Sequence, residues 1–307
     1  MNKIIKNICI YGLGGVGGYF GTKMADANKN NNYNISFIAR GHHLEKIKSS
    51  GLILKTKNKI IEAIPHIATD DFNELGPQDI IIICVKSYDL QEVLIKLKDK
   101  IKDETIILPL LNGVDIYERI RTVITNGIVL PACVYVGTHI EAPGVICQNG
   151  GDGKILFGNK PNDKNYYPES VVKCLKDLNI NFHFEQNPYK EIWTKYMFIS
   201  AYGLVTARTR KTLGQILEDS VLLNDVKNIM KEIKEIAYRE GVHLDNDIVE
   251  NSLAKANNFP YDTKTSYQRD VEANKNNEGD LFGGTLLRMA GSYNIDTPTI
   301  KKYYIHN

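Results

Sequence analysis

Residues 6–18 read KNICIYGLGGVGG, and this stretch decides the fold of the first half of the chain. An apolar, β-branched strand pattern runs directly into a glycine-rich turn, after which an apolar helix pattern begins. A G-x-G-x-x-G dinucleotide loop requires this context, because its glycines allow a tight turn, close backbone approach to a pyrophosphate and close helix packing. We predict that this loop binds a nucleotide, rather than being only a structural turn, through Gly12, Leu13, Gly14, Gly15, Val16 and Gly17.

Short apolar runs and helical patterns alternate through the first half, which indicates βαβ units and a largely parallel sheet. Strands are predicted at KNICIYG, NISFIAR, DIIIICVK, ETIILPLLN and GIVLPACVYVG. Helices are predicted at residues 15–27, 43–50, 90–101 and 116–124. The segment CQNGGDGKILFGNKPND is predicted to be a hairpin with loops, followed by a helix at 168–177 and an edge strand NINFHFE.

The pattern changes after Asn187-Pro188, where strand-like runs stop and a period of 3.6 residues dominates. Helices are predicted at 189–208, at 212–241 with a break near Asp219, at 245–258 and at 279–293. The predicted fold class is therefore α/β, with an N-terminal Rossmann-type parallel-sheet domain followed by an all-helical C-terminal domain. The domains are a nucleotide-binding domain at residues 1–187 and a helical substrate and catalytic domain at residues 188–307.

Composition excludes some classes of partner. The 307 residues carry 38 basic and 36 acidic side chains, well mixed along the chain, which argues against nucleic acid or a membrane surface as the main partner. No apolar run has the roughly 18 residues that a spanning helix needs, and we expect a cytoplasmic protein. No metal site is indicated, and the cysteines are expected to be buried, reduced thiols: Cys9, Cys84, Cys133, Cys147 and Cys174.

The residues after the predicted strands indicate the kind of cofactor. The strand ISFIAR ends in Arg40, whereas an NAD site would carry an acidic residue there. A guanidinium favours a 2′-phosphate, so we predict NADPH/NADP+, with a solvated strand-end charge as the alternative. Lys86 and Asn112 follow two further strands and are candidates for contacts to phosphate, ribose or substrate. The alternative for each is an ordinary turn residue.

One lysine stands out in the second half. The stretch 193–210 reads WTKYMFISAYGLVTARTR, and as a helix it is apolar on most sides apart from Lys195. A lysine there either extends to an edge of the helix, has a partner, or lies in a cleft. A polar segment, TSYQRDVEANKNNEGD, follows at 265–280 and carries Glu278 near a predicted helix start. Glu278 is by itself more simply explained as a first-turn helix residue.

Taken together, these motifs resemble a known family. GLGGVGG with ARGHHLEKI, then CVKSYDL, LLNGVD, the lysine stretch and TSYQRDVEANKNNEGD resemble, in order and spacing, the ketopantoate reductases (2-dehydropantoate 2-reductases). The resemblance covers essentially the whole chain. It implies NADPH-dependent reduction of 2-dehydropantoate to (R)-pantoate, a step in pantothenate and coenzyme A biosynthesis. It also implies a helical domain similar to the C-terminal domain of 6-phosphogluconate dehydrogenase.

The resemblance also implies roles for individual residues. Lys195 would be the general acid that protonates the carbonyl oxygen, and Glu278 would bind the substrate hydroxyl, help to position the lysine and contact the cofactor. Ser266 would bind the substrate carboxylate, and Asn112 would contact both cofactor and substrate. The loop from Gly12 to Gly17, with Arg40 and Lys86, would hold NADPH.

Two positions depart from the family pattern. Many members carry asparagines four and eight residues after the lysine, where this chain has Ile199 and Gly203. This change makes the pocket more apolar, so a reductase of another 2-oxo acid or ketone is an alternative. A non-catalytic NADP-binding sensor is a second one. The apolar second-domain helices are compatible with packing inside one chain or across a homodimer, and a final helix is expected to be short or missing.

Overall fold

The computed structural model describes residues 4–159 and 166–305. The chain divides into two compact units, of which the first contains Met1–Asn112 and Ile116–Pro188 and the second contains Gly113–Asp115 and Tyr189–Asn307. The boundary drawn from the sequence after residue 187 lies beside the break at Pro188. The short segment Gly113–Asp115, assigned to the first domain from the sequence, packs with the second unit.

The first unit is built on a parallel sheet. Its strands are β1 (Asn7–Tyr11), β2 (Asn34–Ile38), β5 (Ile67–Thr69), β6 (Ile80–Ile83), β7 (Ile106–Pro109) and β8 (Ile128–Val129). In the described residues they form one six-stranded sheet, ordered β5-β2-β1-β6-β7-β8, in which every pairing is parallel. All four isoleucines of β6 are buried, as expected for a strand covered on both faces. The helices are α1 (Gly15–Ala27), α2 (Gly41–Ser50), α3 (Ser87–Leu97), α4 (Ile116–Arg121) and α5 (Glu169–Asp177).

A second sheet in this unit differs from the sequence-based expectation. Its strands are β3 (Leu52–Lys55), β4 (Ile60–Ala63), β9 (Ala132–Ala142), β10 (Val145–Gly158) and β11 (Phe182–Glu185), in the order β11-β10-β3-β4 with β9 antiparallel to β10. The run GIVLPACVYVG, predicted as one strand, is divided at Pro131 between β8 and β9. Pro131 has no N–H to continue the first ladder, so the chain leaves that sheet there.

The predicted hairpin at CQNGGDGKILFGNKPND is wrong in its turn position. Residues 147–158 are part of the long strand β10, and the turn that joins β9 to β10 lies at Pro143-Gly144, where Gly144 has φ +77°. Residues 160–163 of that prediction lie outside the described residues. The strands β3, β4 and β5 were not predicted, because runs of three or four residues are too short to show a clear period.

The second unit is helical, and its described residues contain no strand. Its helices are α6 (Tyr189–Thr209), α7 (Leu213–Glu218), α8 (Ser220–Arg239), α9 (Ile248–Lys255), α10 (Ser266–Glu272), α11 (Thr285–Ser292) and α12 (Pro298–Tyr303). The predicted break at Asp219 is confirmed, since this carboxylate caps α8 by accepting from the backbone N–H groups of Val221 and Leu222 at 3.1 Å. The helix predicted at 279–293 contains a π-helical turn at Asp280–Gly284, which leads into α11.

The predicted fold class, a Rossmann-type sheet domain followed by a mostly helical domain, is confirmed. None of the helices in the described part of the chain has both the length and the apolar character needed to cross a bilayer.

Candidate active site

The parallel sheet brings the predicted nucleotide-binding residues to one edge. β2, β1, β6 and β7 are neighbours in that order, and the carboxyl ends of parallel strands lie at the same edge of the sheet. The chain order reverses between β1 and β6, which is the position where doubly wound sheets bind ligands. The residues that follow these four strand ends are Arg40, Gly12, Lys86 and Asn112.

The glycine loop has the geometry that the motif predicts. Gly12 has φ +95°, donates its N–H to Ile38 O at 3.0 Å, and leaves no room for a Cβ, which would lie 2.7 Å from Val85 Cγ1. A Cβ on Gly17 would overlap the carbonyl oxygen of Gly12. A Cβ on Gly14, in contrast, would meet nothing within 4 Å in the described part of the chain. Gly12 and Gly17 are therefore needed for packing, whereas Gly14 faces open space.

The first turn of α1 follows directly on the glycine loop. Gly14 is the N-cap of the helix, and among the described residues no side chain caps it or places an acidic group in the first turn. The positive dipole end of a 13-residue helix therefore begins at Gly14, beside the space that a Cβ there would find open. This arrangement fits the pyrophosphate of a dinucleotide.

Arg40 lies two residues beyond β2 and is largely exposed, with its Nη2 3.0 Å from Asp89 Oδ2. Lys86 is half-buried at the N-cap of α3, and its carbonyl oxygen accepts from the Asp89 N–H at 3.0 Å. Asn112 is half-buried and is followed directly by the segment that packs with the second unit. Asp89 was not predicted as a site residue, although its acidic side chain and its place three positions after Lys86 can be recognised in the sequence.

In the second unit, Lys195 is half-buried on α6, where the neighbouring Tyr196 and Met197 are fully buried. Glu278 is only 4 % exposed, and its carbonyl oxygen accepts from the N–H of Phe282 at the start of the π-helical turn. Ser266 is exposed in the first turn of α10. One unit therefore carries the predicted acid, its carboxylate and the substrate serine.

Neighbouring residues join the three elements that carry these side chains. The Tyr196 hydroxyl, next to Lys195, donates to Leu281 O at 2.5 Å in the π-helical turn that follows Glu278. Thr206, farther along α6, shares a hydrogen bond of 2.9 Å with Thr265, which precedes Ser266. These two bonds, the first buried and the second partly buried, hold the lysine helix against the glutamate segment and the serine helix.

Tyr267 is a second residue that sequence reasoning missed. Its ring is 1 % exposed, and its hydroxyl has no hydrogen-bond partner among the described residues. Burial, with a smaller contribution from the Tyr304 phenol, raises the pKa of Tyr267 to about 12. The hydroxyl lies 2.8 Å from the position that a Cβ on Gly279 would take, next to Glu278. The position of Tyr267 directly after Ser266 in the polar segment could have indicated that it lies near the candidate site.

Known proteins resemble this chain over both units. The family model for ketopantoate reductase PanE/ApbA matches residues 8–162, and the model for the C-terminal part of the same reductases matches residues 187–304. The oxidoreductase YkpB of Bacillus subtilis, whose activity is uncharacterized, is 26 % identical over 295 residues, which cover 96 % of this chain and 95 % of YkpB.

Solved structures show the same architecture. The 2-dehydropantoate 2-reductase of Porphyromonas gingivalis W83 is 29 % identical, with a TM-score of 0.82 and coverage of 98 % of each chain. A D-mandelate dehydrogenase in complex with NADH and anilino(oxo)acetate has 22 % identity and a TM-score of 0.84, with 97 % of this chain and 96 % of that one covered. The resemblance inferred from the motifs is thus confirmed: the chain belongs to the ketopantoate reductase family of oxidoreductases.

Proposed function

We propose that this protein reduces 2-dehydropantoate to (R)-pantoate with NADPH and serves pantothenate biosynthesis. The observation that carries the proposal is the joining of three elements in the second unit. A buried hydrogen bond holds the lysine helix against the segment of Glu278, and a partly buried one holds it against the helix of Ser266. A cation, a carboxylate and a hydroxyl on joined elements suit the reduction of a keto acid.

The first unit fits a nicotinamide dinucleotide. The open space beside Gly14 and the uncapped N-terminus of α1 suit a pyrophosphate, and the exposed guanidinium of Arg40 suits a 2′-phosphate. Lys86 and Asn112, at neighbouring strand ends, are assigned to phosphate, ribose or substrate contacts. When bound, the reduced nicotinamide supplies the hydride.

Lys195 is assigned as the proton donor. Hydride addition to a keto acid places negative charge on the carbonyl oxygen, and a cation held at that oxygen stabilises the charge as it develops. The Lys195 ammonium then gives one proton to this oxygen, which yields the 2-hydroxy acid. Because α6 is buried around the lysine, its position is set by packing rather than by a mobile surface chain.

Glu278 and Ser266 are assigned to substrate binding. Glu278 is a buried residue, 4 % exposed, so little water competes with a substrate hydroxyl that donates to its carboxylate. Ser266, in the first turn of α10, offers its hydroxyl as a hydrogen-bond donor to the substrate carboxylate.

A reductase of another 2-oxo acid is a second candidate, favoured by one observation. Gly203 is fully buried, and the space beside it faces the ring of Tyr267 rather than an amide. Ile199, at the other position that often carries an asparagine, is half-buried and apolar. These side chains favour a more apolar substrate. The fold alone does not distinguish between these substrates, since a D-mandelate dehydrogenase has the same fold.

Steady-state kinetics with purified full-length protein test the proposal. Consumption of NADPH is followed by its absorbance with 2-dehydropantoate and with branched and aromatic 2-oxo acids that lack its hydroxyl group. We expect kcat/KM to be highest for 2-dehydropantoate. A higher value for another 2-oxo acid would select the second candidate, and binding of NADPH without turnover of any keto acid would indicate a non-catalytic sensor.

A further inference from the structure

The ion pair between Arg40 and Asp89 bears on which dinucleotide the first unit accepts. Arg40 Nη2 lies 3.0 Å from Asp89 Oδ2, with the arginine side chain 82 % exposed and the aspartate 27 % exposed. The guanidinium predicted to bind a 2′-phosphate therefore already holds a carboxylate. Any phosphate at Arg40 has to share or displace it.

Asp89 is held at this place by its own helix. It lies in the first turn of α3, where the positive end of the helix favours a carboxylate, and its N–H donates to Lys86 O. The next acid along α3, Glu92, forms its ion pair with Lys96 at 2.5 Å, and Arg40 contributes to it only a weaker, longer-range attraction. Asp89 is thus the carboxylate that a phosphate at Arg40 would meet.

The Asp89 carboxylate supplies an acidic group that the end of β2 lacks. NAD sites carry an acidic residue at the end of the second strand, where it accepts hydrogen bonds from the ribose hydroxyls. In this chain that strand is followed by Ala39 and Arg40, and Asp89, in the helix that follows β6 two strands away, brings a carboxylate to the Arg40 guanidinium. An arginine and an aspartate in contact give one site a group for each form of the cofactor.

We propose that Asp89 is a specificity-determining residue that lowers the preference for NADPH and allows NADH to bind at the same site. The Asp89 carboxylate repels the 2′-phosphate and competes with it for the Arg40 guanidinium. When that phosphate is absent, the carboxylate accepts a hydrogen bond from a ribose hydroxyl. This inference rests on the proposed binding of a nicotinamide dinucleotide by the first unit. It goes beyond that proposal by naming the residue that opposes Arg40.

Binding measurements on Asp89→Asn test this role without relying on turnover. Dissociation constants are measured by calorimetry for NADPH, NADH, 2′,5′-ADP and 5′-AMP, the last two differing by the 2′-phosphate. We expect Asp89→Asn to tighten 2′,5′-ADP and NADPH by about fivefold, since a unit charge at about 4 Å in water contributes this much. NADH and 5′-AMP should bind unchanged or more weakly.

Glu92→Gln is the matched control, because it removes one negative charge from the same helix, at a side chain whose hydrogen-bonded partner is Lys96, while Arg40 acts on it only through weaker, longer-range electrostatics. The ratio of the 5′-AMP dissociation constant to the 2′,5′-ADP dissociation constant should therefore rise clearly in Asp89→Asn and much less in Glu92→Gln. In an Arg40→Ala background, Asp89→Asn should change this ratio less, because the competition for the guanidinium is gone.

Two failures are distinguishable. An equal change of the ratio in Asp89→Asn and Glu92→Gln, with both dinucleotides bound by the wild-type protein, would overturn the role of Asp89 and leave the proposed function standing. Absence of binding of all four nucleotides to the wild-type protein would overturn the proposed function itself.

Discussion

Tyr267 lies against the bare backbone of Gly203: a Cβ built on Gly203 would be 3.7 Å from Tyr267 Cδ1, an ordinary van der Waals distance. The aromatic ring thus lies beside the position where many family members carry an asparagine side chain. The pair links α6, which carries Lys195, to α10, which carries Ser266.

Substitutions at Gly203 should show whether the space beside it accommodates only a Cβ or also a longer side chain. We expect Gly203→Ala to leave stability unchanged or to raise it by up to about 1 kcal/mol, because alanine favours a helix and the Cβ has space. Gly203→Asn should lose about 1–3 kcal/mol, because its amide pushes into the ring. Urea unfolding measures both. Equal stabilities for the two variants would show that the ring does not fill this space.

Two buried tyrosines, Tyr196 and Tyr267, allow a comparison of how much a phenol hydroxyl contributes to stability with and without a hydrogen-bond partner. Tyr196→Phe should cost about 1–2 kcal/mol, since it removes a buried hydrogen bond from the phenol to Leu281 O. Tyr267→Phe should cost nothing or gain stability, since its buried hydroxyl has no partner in the described residues. Thermal unfolding compares them. A larger loss for Tyr267→Phe than for Tyr196→Phe would contradict the assignment of these partners.

Lys195→Met should lower kcat by about 100- to 10,000-fold, as expected for loss of a general acid, while the dissociation constant for NADPH changes little. The control is Lys190→Met on the same helix, because Lys190 is exposed at the surface and paired with Asp245 at 2.7 Å. Lys190→Met should keep the wild-type rate. A comparable fall in rate for both variants would count against Lys195 as the proton donor.

Glycine substitutions in the first loop should separate folding from nucleotide binding. Gly17→Ala should destabilise the first unit, because its Cβ overlaps Gly12 O. Gly14→Ala should fold normally, since nothing described lies within 4 Å of its Cβ, yet it should bind NADPH at least about tenfold more weakly, because the methyl group occupies the space assigned to the pyrophosphate. Circular dichroism and calorimetry measure the two effects. Tight NADPH binding by Gly14→Ala would place the cofactor elsewhere.

Acid should destabilise the second unit through Asp225 on α8. Burial raises the pKa of Asp225, but hydrogen bonds from Lys302 and Tyr303 on α12 outweigh it, so that the pKa lies below its ordinary value of 3.8. A lowered folded-state pKa means that this stabilisation is present above pH 3.8 and is lost as the pH falls through the folded-state value.

The test is the free energy of unfolding as a function of pH. Asp225→Asn should flatten the decrease of this free energy below pH 3.8 and cost about 1.5–3 kcal/mol at neutral pH, the range for hydrogen bonds to a charged group. Asp296→Asn, at a side chain that is 78 % exposed, should leave the curve unchanged. Parallel curves for wild type and Asp225→Asn would refute the linkage.

Local signals predicted much of this fold. Helix α1 begins and ends as predicted, since the glycine loop sets its start, and the break near Asp219 was also predicted, although its capping role was not. Helix α10 was missed, although Thr265 followed three residues later by Gln268 is a recognisable capping pattern, and the Thr265 hydroxyl accepts from the Gln268 N–H at 3.1 Å. The pattern is short and polar, so period alone did not reveal the helix.

Long-range pairings in the candidate site were not accessible from the sequence. Arg40 and Asp89 are 49 residues apart and meet only because β1 lies between β2 and β6 in the sheet. The contact of Tyr267 with Gly203 likewise depends on the packing of α10 on α6, which no local pattern encodes. Motifs therefore indicated candidate side chains for the site, whereas the contacts of those side chains required the tertiary structure.

The segment Gly113–Asp115 has a consequence for dissecting the protein into fragments. Although it follows β7 in the chain, it packs with the second unit, where Asp115 Oδ2 accepts from Thr285 Oγ1 at 3.3 Å. A C-terminal fragment that starts at Tyr189 therefore lacks a piece of its own packing, and Thr285 loses an acceptor. Expression of the helical half alone should yield a less stable product than the intact chain, and adding the segment back through a short linker is the rational repair.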